Sequence, residues 1–199
     1  MSNLTLYSAT CLIILDSEGN RVIAKYWSPP HQPASVGQGV AAASTLGGNP
    51  FGTLKEQRAF EKNVCEKTRK GLADVLFLPP SSICLTKSST DLTFHLVGPT
   101  SENELMLQNA LTAFHDAVGL LLRGLVEKRS VLENLDLVML ALDETIDDGI
   151  ILETDPVAIA SRVSRPRADT AGEIVINEQT IMSAYSTLKE RLGKQIAQL

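Results

Sequence analysis

The sequence predicts an α+β fold, a five-stranded antiparallel sheet flanked by helices, with an additional C-terminal helix. Three observations carry that prediction. Five short segments rich in strand formers are separated by turn chemistry. They lead into two long segments with apolar residues at helical spacing, and residues 177–199 carry a separate apolar seam.

The first two strands read as a hairpin. Leu4 to Leu15 is rich in strand formers, Asp16-Ser17-Glu18-Gly19-Asn20 supplies the turn, and Arg21 to Trp27 resumes the strand pattern. Ser28 to Leu54 then contains no Asp, Glu, Lys or Arg but five glycines and four prolines. Such a stretch neither alternates as a strand nor persists as a helix, and residues 28–52 read as a flexible loop.

Thr53-Leu54-Lys55-Glu56 has capping-box spacing and opens a helix in which Phe60, Val64 and Thr68 share a face, with Gly71 as its C-terminal stop. Ala73 to Leu78, Ile83 to Lys87 and Leu92 to Val97 read as three strands, broken by Pro79-Pro80 and by Ser88-Ser89-Thr90-Asp91. Leu92, Phe94 and Leu96 alternate onto one side of the last. Ser101-Glu102-Asn103-Glu104 repeats the capping spacing before a helix striped by Leu107, Leu111, Phe114, Val118, Leu121 and Leu125. A further stripe of Leu132, Leu135, Met139, Leu142 and Ile146 is stopped by Asp147-Asp148-Gly149. Burying each large side chain of these stripes contributes about 1.5–3 kcal/mol, enough to hold helices on a sheet.

Asp155-Pro156 reads as an N-cap followed by a first helical residue, for a short helix ending near Val163. The domain therefore spans 1–164, followed by a hinge over 165–176 and an amphipathic helix over 177–199 with its seam at Ile181, Tyr185, Leu188, Leu192, Ile196 and Leu199.

Composition removes several function classes. Of 199 residues, 44% are hydrophobic and 21% charged, a globular balance. The formal net charge is -5 and no Lys/Arg run could neutralise a row of phosphates, so nucleic acid is not expected as a partner. No apolar stretch reaches the roughly 18 residues of a bilayer span. The N-terminus lacks signal-peptide order, and Ser2 stands where myristoylation requires Gly. The expectation is a cytosolic protein that meets membranes through partners.

Motifs for chemistry are incomplete. Gly47 to Gly52 begins like a phosphate loop, but Thr53 stands where Lys is required and no strand precedes it. Asp143, Glu144, Asp147 and Asp148 lack the alternating ligands and closing Glu of a calcium loop and read as a solvated helix end. His31, His95 and His115 form no metal-binding pair, and Cys11, Cys65 and Cys84 read as buried free thiols. No nucleophile elbow accompanies a serine. The expectation is a protein without catalytic residues, cofactor or metal.

Several stretches resemble the zeta subunits of the COPI coatomer. They are Ala24-Lys25-Tyr26, Lys55 to Asn63, Glu102 to Leu107, Val126-Glu127-Lys128-Arg129, Leu132-Glu133-Asn134, Leu142-Asp143-Glu144, Asp148 to Pro156 and Glu178-Gln179-Thr180. They occur in order over nearly the whole chain. The family is related to the sigma-type small subunits of clathrin adaptors, and the resemblance implies their longin-like fold. The 28–52 loop and the connection over Ala73 to Pro80 depart from its compact form, as insertions at tolerant sites do.

The resemblance further implies a non-catalytic subunit of a coat on the cytoplasmic side of Golgi membranes and COPI-coated vesicles, peripherally associated and serving retrieval to the endoplasmic reticulum and intra-Golgi transport. Its direct partner would be the gamma large subunit, beside the beta and delta pair, with an Arf-family GTPase acting indirectly. Arg123, Glu127, Lys128, Arg129, Leu132, Glu133 and Asn134 mix apolar anchors with charges, as stable interfaces do, and are the candidate partner surface. Arg129 and Glu133 also suit an ordinary helical ion pair. Two other roles share this element order: a small adaptor subunit that binds cargo signals, and a longin-type regulator of fusion or tethering.

Overall fold

The computed structural model describes residues 6–27, 51–70, 75–79 and 81–164. The hinge over 165–176, the C-terminal helix, the Gly71 stop, His31 and nearly all of the 28–52 loop lie outside the described residues. The α+β architecture is as expected.

Two strands, β1 (Cys11–Asp16) and β2 (Arg21–Tyr26), form the N-terminal hairpin. The first begins later than the strand formers suggest. The Ala9 N–H donates to the Gly149 carbonyl, and Tyr7 bridges to Ile150, so residues before Thr10 pair with a different part of the chain. Helix α1 (Leu54–Lys70) opens with the expected box: the Thr53 hydroxyl accepts from the Glu56 N–H at 3.3 Å, while the Glu56 carboxylate accepts from the Thr53 N–H at 3.0 Å. Strands β3 (Val75–Leu78), β4 (Ser82–Ser88) and β5 (Leu92–Pro99) follow, giving the antiparallel order β2-β1-β5-β4-β3. Because β1 sits inside this sheet, covered on both faces, all six of its residues are buried and it reads as an apolar run rather than an alternation.

Each face of the sheet has its own core. On one, Cys11, Ile13, Leu15, Cys84 and Val97 meet Phe60 and Val64 of α1. Glu61, buried on the same helix, accepts from Arg21 Nε at 3.0 Å and from the Tyr26 hydroxyl at 2.8 Å, tying α1 to the β2 edge. This buried carboxylate is compensated by a cation and a hydroxyl, as burial requires.

On the other face, Leu12, Ile14, Leu85, Phe94 and Leu96 pack under α2 (Glu104–Leu121). Phe94 and Phe114 meet edge-on with centroids 6.0 Å apart. The cap of α2 is Asn103, whose side chain accepts from the Leu105 N–H at 2.9 Å, and not a Ser101 box. Leu107, Leu111, Phe114 and Val118 are buried as the stripe requires. Leu125 is not on this helix, which ends at Leu121, and Leu122 and Val126 are buried in its place.

The next stripe divides into α3 (Lys128–Glu133) and α4 (Leu135–Thr145), broken at Asn134, whose backbone leaves the helical region with φ -124 and ψ 38. Its phase also differs from expectation. Val131, Val138, Ala141, Leu142 and Thr145 are buried, whereas Leu132 and Leu135 are exposed and Met139 is half-buried. Strands β6 (Ile146–Asp147) and β7 (Ile150–Ile151) then form a two-residue hairpin through Asp148 and Gly149, with φ of 48 and 83. Asp155 caps α5 (Pro156–Val163), accepting from the Val157 N–H at 3.0 Å, and Ile159 and Val163 bury this helix in the α2 and α4 layer.

Candidate functional site

The candidate surface is built where the chain leaves α2. Arg123 and Gly124 take φ of 55 and 84, a sharp reversal that aims Leu125 outward and returns Val126 to the core. Residue 124 is the kind of position where glycine avoids the left-handed penalty of other residues.

Two electrostatic contacts then fix α3. The Lys128 N–H donates to both oxygens of Asp91, in the β4–β5 turn, at 3.0 and 3.2 Å. Lys128 Nζ donates to Asp16 Oδ2, at the end of β1, at 2.9 Å. Asp16 also accepts from the Glu18 and Asn20 N–H groups, at 3.0 and 2.7 Å. Burial alone would raise the Asp16 carboxyl, but the hydrogen bonds from Lys128 and Asn20 outweigh it and hold the group well below the usual carboxylate range. One lysine, through its backbone N–H and its ammonium, thus joins the β1–β2 turn, the β4–β5 turn and α3.

Lys128, Arg129, Leu132 and Glu133 line one open groove of about 500 Å³ together with Asp91. Arg129 Nε and Glu133 pair at 2.8 Å on the solvent side, where such a pair contributes little stability. Leu132 is 49% exposed, and Leu125 and Leu135, either side of it in sequence, are 59% and 40% exposed. Arg123 instead lines a second groove of about 520 Å³ with Ser89, His115, Leu120 and Val126. Asn134 hydrogen-bonds back to the Ser130 carbonyl at 2.9 Å, and Glu127 is the exposed N-cap residue of α3. Neither of these two lines the Leu132 groove.

Of the seven candidates, four therefore meet at one groove, while Arg123 faces another. Asp16 and Asp91 escape sequence reasoning because they lie 112 and 37 residues from Lys128. Their local signal is that Asp16 ends a strand and Asp91 is the turn residue before one.

The remaining chemistry-bearing side chains sit elsewhere. Burial raises the Cys11 thiol well above its ordinary value and the Cys84 thiol to about 12, while Cys65 is half-buried. His95, buried in β5 beside Thr86 at 3.1 Å, is pushed down to about 4 by burial. Asp143 pairs with Lys25, and Glu144 and Glu153 share Arg162. Among the described residues, no group of three His, Cys, Asp or Glu could hold a metal ion, and no helix is long and apolar enough to cross a membrane.

Residues 50–169 match the family model of the clathrin adaptor complex small chain. The chain is 35% identical to coatomer subunit zeta of Saccharomyces cerevisiae, covering 100% of this chain and 99% of that one. It is 39% identical to coatomer subunit zeta-3 of Arabidopsis thaliana over 93% of this chain and 92% of that one. Coatomer subunit zeta-1 of Homo sapiens is 34% identical over 94% and 92%. A chain in a homology model of the full-length AP-3 complex in a stretched open conformation shares the fold with a TM-score of 0.55, at 16% identity, over 83% of this chain and 95% of that one. With its five-stranded sheet, its helices on both faces and this end-to-end similarity, the chain belongs to the clathrin adaptor complex small chain family, as a coatomer zeta subunit.

Proposed function

We propose that this chain is a non-catalytic structural subunit of the COPI coat that pairs with the gamma large subunit and serves Golgi-to-ER retrograde and intra-Golgi transport. The observation that carries this reading is a contrast in similarity. Identity to coatomer zeta subunits is 34–39% over at least 93% of the chain, but only 16% to a chain of AP-3 with the same fold. Fold alone does not keep that much sequence, so the reading follows the coatomer branch rather than the adaptor small chains at large.

The buried chemistry suits a scaffold. Neither Cys11 nor Cys84 is a thiolate near neutral pH, and His95 is fixed in the core as a neutral ring. On this reading the chain works on the cytoplasmic face of Golgi membranes and COPI vesicles, touching them only through the coat. Beta and delta subunits share its subcomplex, and an Arf-family GTPase recruits the whole.

Acute depletion of the chain in cells tests the role. Retrieval of an ER-resident reporter from the Golgi is expected to slow, with loss of the gamma subunit from membranes. Normal retrieval combined with a defect in endocytic sorting would contradict the proposal. Saturable binding of acidic dileucine peptides by the purified pair would replace a structural role with cargo recognition.

A further inference from the structure

We propose that the groove between Asp91 and α3 receives a segment of the large subunit in which an apolar side chain is flanked by Lys or Arg, with Leu132 as the anchor. This rests on the pairing proposed above and locates it on the chain.

The apolar half of the argument is a contrast within α3. Val131 is fully buried and completes the domain's own core, whereas Leu132 beside it stays half exposed. It lines the groove, where a partner side chain placed against it removes both from water.

The charged half sets the partner's chemistry. Lys128 faces three carboxylates: Asp16 by a direct bond, and Glu18 and Asp91 through their charge. Arg129 is closed by Glu133. Asp91 and Glu133 line the groove with Lys128 and Arg129, and Asp16 and Glu18 stand about Lys128, so four carboxylates meet two cations. An acidic segment is repelled here, whereas one carrying Lys or Arg next to an apolar residue is matched in both respects. The walls are also set in advance, because both the backbone and the ammonium of Lys128 are held by Asp91 and Asp16. A pre-organised groove loses little freedom on binding.

The test uses the full chain co-expressed with the gamma subunit, comparing wild type, Leu132→Ser, the double variant Glu18→Lys with Glu133→Lys, and Leu105→Ser. Leu105 is exposed on the first turn of α2 and does not line the groove, so it controls for loss of any surface leucine. Thermal unfolding confirms that each variant folds, as substitutions at exposed side chains should. Pair affinity is expected to fall at least about tenfold for Leu132→Ser and for the charge reversal, with Leu105→Ser unchanged. Wild-type affinity is expected to fall as salt rises from about 50 to about 500 mM.

A wild-type pair with variants that bind as tightly overturns this location while leaving the pairing intact. Failure of the wild type to pair overturns both. Loss of self-association in Leu132→Ser, with the pair retained, overturns the proposal in favour of a second copy of this chain.

Discussion

Gly149→Ala probes the point where the β6–β7 hairpin is fastened to the N-terminal segment. Residue 149 has φ of 83, a conformation that costs an alanine about 1 kcal/mol. An added Cβ would also lie 2.6 Å from the Ala9 carbonyl oxygen, a backbone atom that cannot swing aside as a side chain can. Relief requires the two segments to part, which loosens the 3.0 Å bond from the Ala9 N–H to the Gly149 carbonyl and the Tyr7–Ile150 bridge, at about 1–2 kcal/mol. The sum is about 2–3 kcal/mol, or a fall in melting temperature of about 4–12 °C for a domain of this size.

Gly124→Ala supplies the control, because its φ of 84 is the same while nothing lies within 4 Å of the added Cβ. It carries the backbone cost alone, about 1 kcal/mol and about 2–4 °C. The assay is thermal unfolding followed by circular dichroism on the full chain or its complex. Equal melting temperatures for the two variants would refute the argument that the Ala9 contact fastens the hairpin.

Three further outcomes follow from the buried groups. Phe114→Ala removes a fully buried ring that meets Phe94 edge-on and is expected to cost about 3–5 kcal/mol, read by denaturant unfolding. A cost under about 1 kcal/mol would mean the α2 core is not as packed as described. His95 ionises near 4 when folded and near 6.5 when unfolded, so the unfolded chain takes up the proton first as pH falls. Stability is therefore full above about pH 6.5 and declines by about 3 kcal/mol by about pH 4, a slope that His95→Gln should remove. Asp16 acts in the same direction at lower pH: its lowered carboxyl contributes stability above the ordinary aspartate range, lost as pH falls below it. Asp16→Ala should accordingly destabilise more near pH 7 than near pH 2, and an equal effect at both would show that its charge is irrelevant.

The strands were legible because their signal is local. Leu92, Phe94 and Leu96 alternate and face one core, and Thr53 and Glu56 form the box their spacing announces. The segment after Arg123 was less legible, since counting the largest apolar residues selects Leu132 and Leu135, whereas the core takes Val131, Val138 and Ala141. Leucines standing out of phase with the core are expected if a partner covers them, and the sequence pattern alone does not tell the two cases apart. Asp148-Gly149 between Ile146 and Ile150 is the two-residue signal of a hairpin, and reading it only as a helix stop hid β6 and β7. The Asp16–Lys128–Asp91 junction was invisible for another reason: its members meet only after the sheet has formed. No periodicity records such a contact.

The central claim is that this chain is one half of a fixed pair with a gamma-type large subunit. Light scattering on the co-expressed and co-purified proteins measures it directly. The account predicts a single species whose mass is that of one chain plus one large subunit, with deuterium exchange slowed over residues 123–134 relative to the chain alone. A monodisperse monomer of this chain, eluting apart from the large subunit, would contradict it.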